Sequence, residues 1–133
     1  MALADPLVVC RETLLADPAV VAATGGRVYA TPSLPVGHSY PCVRLTLVGA
    51  SGHTPVGFRQ GMEAAVQLDA WAEDMTVVST VAEACLDALH GVPDQPGAVY
   101  IKAVFEAREL DEAAQPPLHR YRADLSVRVA KID

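Results

Sequence analysis

The chain has 133 residues, 51% of them hydrophobic and 20% charged, which is typical of a globular domain and not of a disordered segment. Its formal net charge of −6 and aromatic content of 5% argue against a protein that neutralises phosphates or stacks single-stranded bases. No apolar stretch approaches the ~20 residues of a membrane span, and no signal peptide is recognisable, so we expect one domain over residues 1–133, made in the cytoplasm, with no membrane partner.

An aspartate followed by a proline opens each of the first two predicted helices. Asp5 and Asp17 are suited to accept the free backbone N–H groups of a first helical turn, and proline is favoured at the first helical position. The first helix has an apolar stripe that includes Cys10, and the second, shorter helix ends at Gly25-Gly26, because glycine accepts the left-handed conformation cheaply.

Alternating apolar and polar residues predict five strands. The strands are expected at Arg27–Ala30, Cys42–Val48, Met62–Ala72, Ala98–Glu109 and Arg120–Ile132. The proline-rich residues 31–41 cannot pair as a central strand and are expected to be an extended surface segment. Asp74 is a plausible N-cap for the longest helix, over about Met75–His90.

The connection between the second and third strands is unusually long and rich in glycine. It covers thirteen residues, Gly49–Gly61, and holds four of the nine glycines, Arg59 as its only charge, and Phe58. Antiparallel neighbours usually need two to five connecting residues. We therefore predict a long β-hairpin arm here.

These elements predict an α+β fold with a mostly antiparallel sheet of about four main strands plus a short one. One face of each strand is apolar and the other polar, so we expect the helices to pack on one face of the sheet. In the last strand, for example, Leu125, Val127 and Val129 should face the core, while Arg120, Arg122 and Arg128 should face outward.

No pattern of catalytic or metal-binding residues emerges. The four histidines lack metal-ligand spacing, and no nucleophile-elbow, phosphate-loop or dinucleotide-binding motif is present. Cys10, Cys42 and Cys85 are widely spaced and are interpreted as small buried hydrophobic residues. We expect no enzyme, no metal and no cofactor.

The charged residues of the predicted strands have three possible roles. Glu63 and Asp69 lie on one strand face with Gln67, where a solvated face is a better explanation than acid–base chemistry. Arg120, Arg122 and Arg128 are best explained by cross-strand charge pairing. A salt-bridge surface between subunits and a nucleic-acid contact are the alternatives for these arginines.

Several segments together resemble the tail-terminator (tail-completion) proteins of long-tailed bacteriophages, prophages and gene-transfer particles. They are "ADPAVVAATGGRVYATPSLP", the strand entry at Pro41 and Val43, the V-x-L-D-x-W-A strand from Val66 to Ala72, and the closing "RYRADLSVRV". The resemblance covers nearly the whole chain and rests on scaffold segments, since none of these residues is a catalytic hallmark.

The resemblance implies a structural virion protein that forms a ring, expected to be hexameric. Such a ring caps the head-proximal end of the tail tube, ends tube polymerisation and joins the head-tail connector or stopper protein. The implied partners are further copies of the chain and the major tail-tube protein, in the tail or neck of the virion after assembly in the host cytoplasm. Genomic DNA would pass through the lumen without specific binding, and six copies would carry about 36 negative charges, which suits a non-adhesive channel.

Candidate interface residues follow from the arm and from the arginines. Phe58 and Arg59 are residue types enriched at interface hot spots, and glycine gives the backbone of the arm its adaptability. The candidates for contact with a subunit or with the tube are His53, Phe58, Arg59, Arg120, Arg122 and Arg128, and those for a flexible arm are Gly49, Gly52, Gly57 and Gly61. The opposite expectation for the arm is a mobile surface hairpin with no partner.

Other functions are also compatible with the sequence. Within the virion, the alternatives are another neck-ring protein, such as a head-to-tail adaptor or stopper, and a tail-tube subunit. Outside the virion, a small ligand-binding or hydrolytic α+β domain is the alternative, and a pocket lined by His38, His53 or His119 beside a carboxylate would favour it.

Overall fold

A computed structural model describes residues 3–132 apart from 54–60, with the backbone alone at residues 51–53. Its elements follow the predicted order of two helices, a short strand, two long strands, a helix and two final strands. They are α1 (Pro6–Ala16), α2 (Pro18–Thr24), β1 (Val28–Tyr29), β2 (Cys42–His53), β3 (Gly61–Ala72), α3 (Met75–Leu89), β4 (Ala98–Asp111) and β5 (Leu118–Ala130). The α+β fold class is confirmed.

All three helices begin at the predicted aspartate caps. The Asp5 carboxylate accepts a hydrogen bond from the Leu7 backbone N–H at 2.9 Å. Asp17 accepts from two N–H groups at the start of α2, and Asp74 accepts from two at the start of α3, the shortest at 2.7 Å. Each cap therefore satisfies donors that the first helical turn leaves without an intrahelical partner.

The strands form one open sheet in the order β1-β2-β3-β5-β4. β1 runs parallel to β2, and every other neighbouring pair is antiparallel. The mostly antiparallel sheet is thus confirmed. Its two outermost positions are held by β1, which is only two residues long, and by β4, which is fourteen residues long.

The core lies between the helices and one face of the sheet. Leu14 of α1, Val81 and Leu89 of α3, Leu68 of β3 and Leu125 of β5 belong to one buried cluster. In β5 the predicted alternation is confirmed, with Ala123, Leu125, Val127 and Val129 buried. The opposite face of the sheet, called the outer face below, carries no helix among the described residues.

The hairpin between β2 and β3 differs from its predicted form. The ladder continues to the pair His53–Gly61, so Gly49, Gly52 and Gly61 are strand residues and not part of a thirteen-residue loop. The ladder also shifts register between Leu47 and Gly49. The long hairpin is present, but the predicted ends of its strands were wrong. The four small residues Gly49–Gly52 show no alternation of apolar and polar side chains, yet their backbone groups pair with those of β3.

Register shifts also change the faces of β4. The β4–β5 ladder shifts between Ala103 and Phe105, so that Phe105 pairs with Asp124 of the outer face and Glu106 with the core-facing Ala123. Phe105 therefore lies on the face opposite to Ile101, although unbroken alternation along β4 would put both on one face. One extra residue in a strand moves all later side chains to the other face, which alternation in the sequence does not show.

Candidate assembly surface

The outer face of the sheet brings the three candidate arginines of β5 together, each with a carboxylate. Arg120 contacts Glu109 of β4 at 3.4 Å, and Arg128 contacts Glu63 of β3 at 3.4 Å. Arg122 lies 3.8 Å from Asp124 of its own strand. The predicted charge pairing is therefore found, across strands for two of the arginines and along β5 for the third.

Asp69 of β3 is the centre of this surface and is completely buried. Its carboxylate contacts Arg44 of β2 at 3.3 Å and Arg120 of β5 at 2.7 Å, and Gln67 donates to it at 3.0 Å. The interpretation of Asp69 as part of a solvated face was wrong. Two guanidinium groups from the flanking strands close over the carboxylate and exclude water from it.

Trp71 completes this cluster. The guanidinium carbons of Arg44 and Arg120 lie 5.1 and 5.7 Å from its ring centroid, which is within the range of cation–π contact. We call Arg44, Asp69, Trp71 and Arg120 the Asp69 cluster. In the sequence, the burial of Asp69 is indicated by the run Leu68–Ala72. This run is apolar apart from Asp69 and is therefore suited to burial on both faces.

The segment before β2 covers one side of the Asp69 cluster. Arg44 donates to the backbone carbonyl of Pro32 at 3.2 Å, so residues 31–41 approach the outer face at β2. Cys42, two residues before Arg44 and thus on the same face, is fully buried. The rest of the outer face carries no such covering contact among the described residues.

A second arginine–aromatic contact lies nearer the β4 edge. The guanidinium carbon of Arg122 lies 5.3 Å from the ring centroid of Phe105, which is half exposed. The Nε of Arg122 and that of Arg44 have no hydrogen-bond partner among the described residues. Arginine and aromatic side chains are enriched where protein surfaces meet, so this arrangement has the composition of an interface.

The candidate residues of the hairpin are only partly described. Gly49, Gly52, His53 and Gly61 lie in the paired part of β2 and β3, where Gly61 also pairs with Ala130 of β5. The candidates Gly57, Phe58 and Arg59 lie outside the described residues. Gly49 does not have positive φ, and a Cβ atom there would meet nothing within 4 Å.

The sheet has two long open edges. β1 pairs only with Val43 and Arg44, so the edge of β2 from Leu45 to His53 has no strand partner among the described residues. At the other end, Gly91 pairs with Ile101, and the edge of β4 from Ala103 onward has none among the same residues. Exposed apolar side chains lie on both edges: Leu47, Val48, Val104, Phe105 and Leu110.

The thiols of the three cysteines lie in the interior and have raised pKa values. Burial raises the pKa of the Cys10 and Cys85 thiols to about 12 and that of Cys42 to about 11. Thiols with such pKa values stay protonated near neutral pH and are poor nucleophiles. The prediction that the three cysteines are buried is confirmed.

The described residues contain no cluster with the composition of a metal site. Among them, no group of three His, Cys, Asp or Glu side chains is placed to hold a metal ion. His38 contacts Tyr40 at 3.0 Å, and neither His38 nor His119 lines any of the four surface depressions described. No described helix is long and apolar enough to cross a membrane.

The net charge is confined to the helical segments. Residues 1–27 and 73–94, which contain the three helices, hold eight acidic and two basic residues, a formal charge of −6. The remaining residues hold eight acidic and eight basic residues and are neutral. The helical segments are thus acidic, whereas the charges of the remaining residues balance.

Comparisons with known proteins point to one family. The family model described as "Tail completion protein gp17" matches residues 10–130. A chain from a solved structure, "Virion of native gene transfer agent (GTA) particle", is similar in fold, with a TM-score of 0.65, 17% identity and 94% of each chain covered. No curated protein matches the sequence.

Proposed function

Since the chain belongs to the tail completion protein gp17 family and is thus a structural protein of a phage-type tail, we propose that it forms a ring that caps the head-proximal end of the tail tube. The ring ends tube polymerisation and offers its other side to the head-tail connector or stopper protein. The role is structural and not catalytic, and the ring is a hexamer.

The observation that carries the proposal is the open sheet. Long unpaired edges with exposed apolar residues invite pairing with other chains, and folded proteins usually cover or charge them. Here one edge lies at each end of the same sheet. Two different surfaces that meet head to tail close into a ring when the rotation between subunits allows it.

Termination then follows from the asymmetry of the ring. A head-to-tail ring has two different faces, so one face can match the growing end of the tube while the other does not reproduce it. A tube subunit that adds to the first face therefore finds no second site beyond the ring. Tail length is limited without any chemical step.

The proposed contact residues belong to the predicted arm and to the outer-face arginines. Phe58, Arg59 and His53 would contact a neighbouring subunit or the tube, with Gly49, Gly52, Gly57 and Gly61 giving the arm its adaptability. Arg120, Arg122 and Arg128 would contact partners through the outer face.

Substitutions in the predicted arm test its role. We expect Phe58→Ala and Gly57→Ala to impair ring assembly or tube docking and to leave the melting temperature unchanged. Normal tails from both variants would refute the proposal that the arm contacts a partner.

The acidic helix layer supports a channel that does not retain DNA. Association with duplex DNA depends on basic residues that neutralise phosphates, and the helical segments carry a net negative charge. Genomic DNA is therefore expected to pass through the ring without specific binding. The assembled protein is located in the neck of the virion, after assembly in the host cytoplasm.

Electron microscopy tests the proposed function. The purified protein should form rings of one size, and particles that lack the protein should carry over-long tails. Stacked tubes of the purified protein would identify a tube subunit instead. Particles with full heads and separate tails of normal length would identify an adaptor or stopper, and a monomer with no effect on tails would refute a ring altogether.

A further inference from the structure

We infer that neighbouring copies of this chain join by antiparallel pairing of the β4 edge of one copy with the β2 edge of the next. The inference rests on the proposed ring and names the surfaces that build it. Its partner is a second copy of the same chain, and its test below separates a wrong joint from a wrong ring.

The two open edges match in length. Within the described part of the chain, the β2 edge has no strand partner over residues 45–53 and the β4 edge has none over residues 103–111, which is nine residues each. Both edges are limited by a local contact, β1 on the first and Gly91 on the second. Two edges of equal length leave no long unpaired stretch when they meet.

The strand directions also match. β2, β3, β5 and β4 alternate in direction, so the two edge strands of one sheet run antiparallel to each other. A rotation about an axis roughly parallel to the strands places the next copy beside β4 and keeps the strand directions. The β2 of that copy then runs antiparallel to β4. A head-to-tail joint therefore forms the same type of ladder that holds the subunit together.

The side chains at the two edges are complementary in size. β2 carries four small residues in a row, Gly49–Gly52, and β4 carries the large and exposed Val104 and Phe105. Leu47 and Leu110, each nearly half exposed, lie at the other end of these edges. Pairing the edges in antiparallel fashion places large side chains beside small ones and buries both leucines.

The outer face restricts the register. Gly49 pairs with Ala65, and Ala107 pairs with Arg122, so both residues lie on the outer face. Ala50 pairs with the core-facing Ala64 and lies on the other face. A one-residue slip would exchange the faces, so Gly49 must lie opposite an outer-face residue of β4, and the candidates are Phe105, Ala107 and Glu109.

Disulfide trapping tests the joint. Gly49→Cys is combined in one chain with Phe105→Cys, Ala107→Cys or Glu109→Cys, and each double variant is oxidised and run on a denaturing gel. Directly opposed residues of antiparallel strands lie within the Cα separation that a disulfide requires. One of the three variants should give a ladder of covalent multimers, because each chain carries both halves of the joint.

The chain provides suitable controls. Cys10, Cys42 and Cys85 are fully buried and should not compete. A Cβ atom at Gly49 would meet no other atom within 4 Å, so Gly49→Cys should not disturb the fold. Matched double variants with Ala50→Cys place the two thiols on opposite faces and should give no ladder, and circular dichroism checks that each variant is folded.

Each outcome decides the inference. Rings without a ladder from any outer-face pair would refute this joint and leave the proposed ring standing. The single variant Ala107→Cys, without Gly49→Cys, serves as a further control. Covalent dimers of this single variant would indicate symmetric β4–β4 pairing between two copies and would also refute the proposed joint. A protein that stays monomeric at all concentrations, with no ladder, would refute both the joint and the proposed ring.

A second perturbation tests the edge without cysteine. Leu110→Lys places a charge on the β4 edge, as natural edge strands do to prevent pairing, and should abolish rings with an unchanged melting temperature. Val36→Lys changes a fully exposed valine outside both edges and should leave rings intact. Intact rings from Leu110→Lys, or equal loss from both variants, would contradict the proposed joint.

Discussion

Replacing the buried carboxylate of Asp69 tests whether the Asp69 cluster stabilises the sheet. Asp69→Asn keeps the size of the side chain and removes the charge that Arg44 and Arg120 share at 3.3 and 2.7 Å. Arg120 keeps Glu109 at 3.4 Å, whereas no other carboxylate lies within ion-pair distance of Arg44 among the described residues. The substitution therefore leaves one guanidinium without its counter-charge.

The expected cost follows from the burial of the pair. Removing one partner of a buried ion pair costs about 3–5 kcal/mol. The side chains of Arg44 and Arg120 are 23% and 27% exposed, so water compensates part of the loss, and we expect a decrease of about 2–3 kcal/mol in the free energy of unfolding. That decrease corresponds to a melting temperature lower by roughly 6–12 °C for a domain of this size.

Urea unfolding followed by tryptophan fluorescence measures this effect. Trp71 is the only tryptophan and contacts both arginines, so its emission reports on the cluster itself. Asp124→Asn is the matched control, because Asp124 lies on the same face, is 39% exposed and contacts Arg122 at 3.8 Å. The control should cost less than about 1 kcal/mol. Equal stability losses for the two variants would refute the argument that burial makes Asp69 important.

Three further predictions concern the backbone, the thiols and the helix layer. Gly97 has φ +76°, and a Cβ atom there would lie 2.5 Å from the Cβ of Ala4 and 2.9 Å from the Ala130 carbonyl oxygen, so Gly97→Ala should lower the free energy of unfolding by about 1–3 kcal/mol in a urea titration. Gly49→Ala, in open space, should leave it within about 0.5 kcal/mol, and equal effects would contradict the steric reason. Because burial raises the pKa of Cys10 and Cys85 from 9.0 to about 12, the unfolded chain loses their protons first, and stability should fall as the pH rises from 9 towards 12. Cys85→Ala should make that fall shallower, and parallel pH profiles would show that the thiols do not contribute. Fluorescence anisotropy should detect no binding of duplex DNA at about 0.15 M salt, whereas the double variant Glu83→Lys, Asp87→Lys should gain salt-dependent binding. DNA binding by the unaltered protein would argue against a non-adhesive surface.

Local chemistry determined the elements of the fold. Asp5, Asp17 and Asp74 predicted the helix starts, because an N-cap aspartate bonds N–H groups two or three residues away. The alternation in β5 predicted which of its residues are buried, because one side chain in two faces the core. The absence of charge in the core-facing positions and the polar opposite face predicted a sheet covered on one side. These signals need only neighbours in the sequence.

The assembly surface depended on contacts between distant residues. The apolar run around Asp69 is compatible with burial but does not show how the charge is paired. Only Arg44 and Arg120, which are 25 and 51 residues away, provide its counter-charges. A register shift against β5 decided on which side of the sheet the Phe105 side chain lies. Pairing with β3 decided that Gly49–Gly52 form a strand and not a loop. The sequence by itself determined the helices, the strands and the family resemblance, since these follow from local propensity and periodicity. Only the tertiary structure decided which charges are shared and which edges stay open, because ladder register and burial are properties of strands brought together from distant parts of the chain.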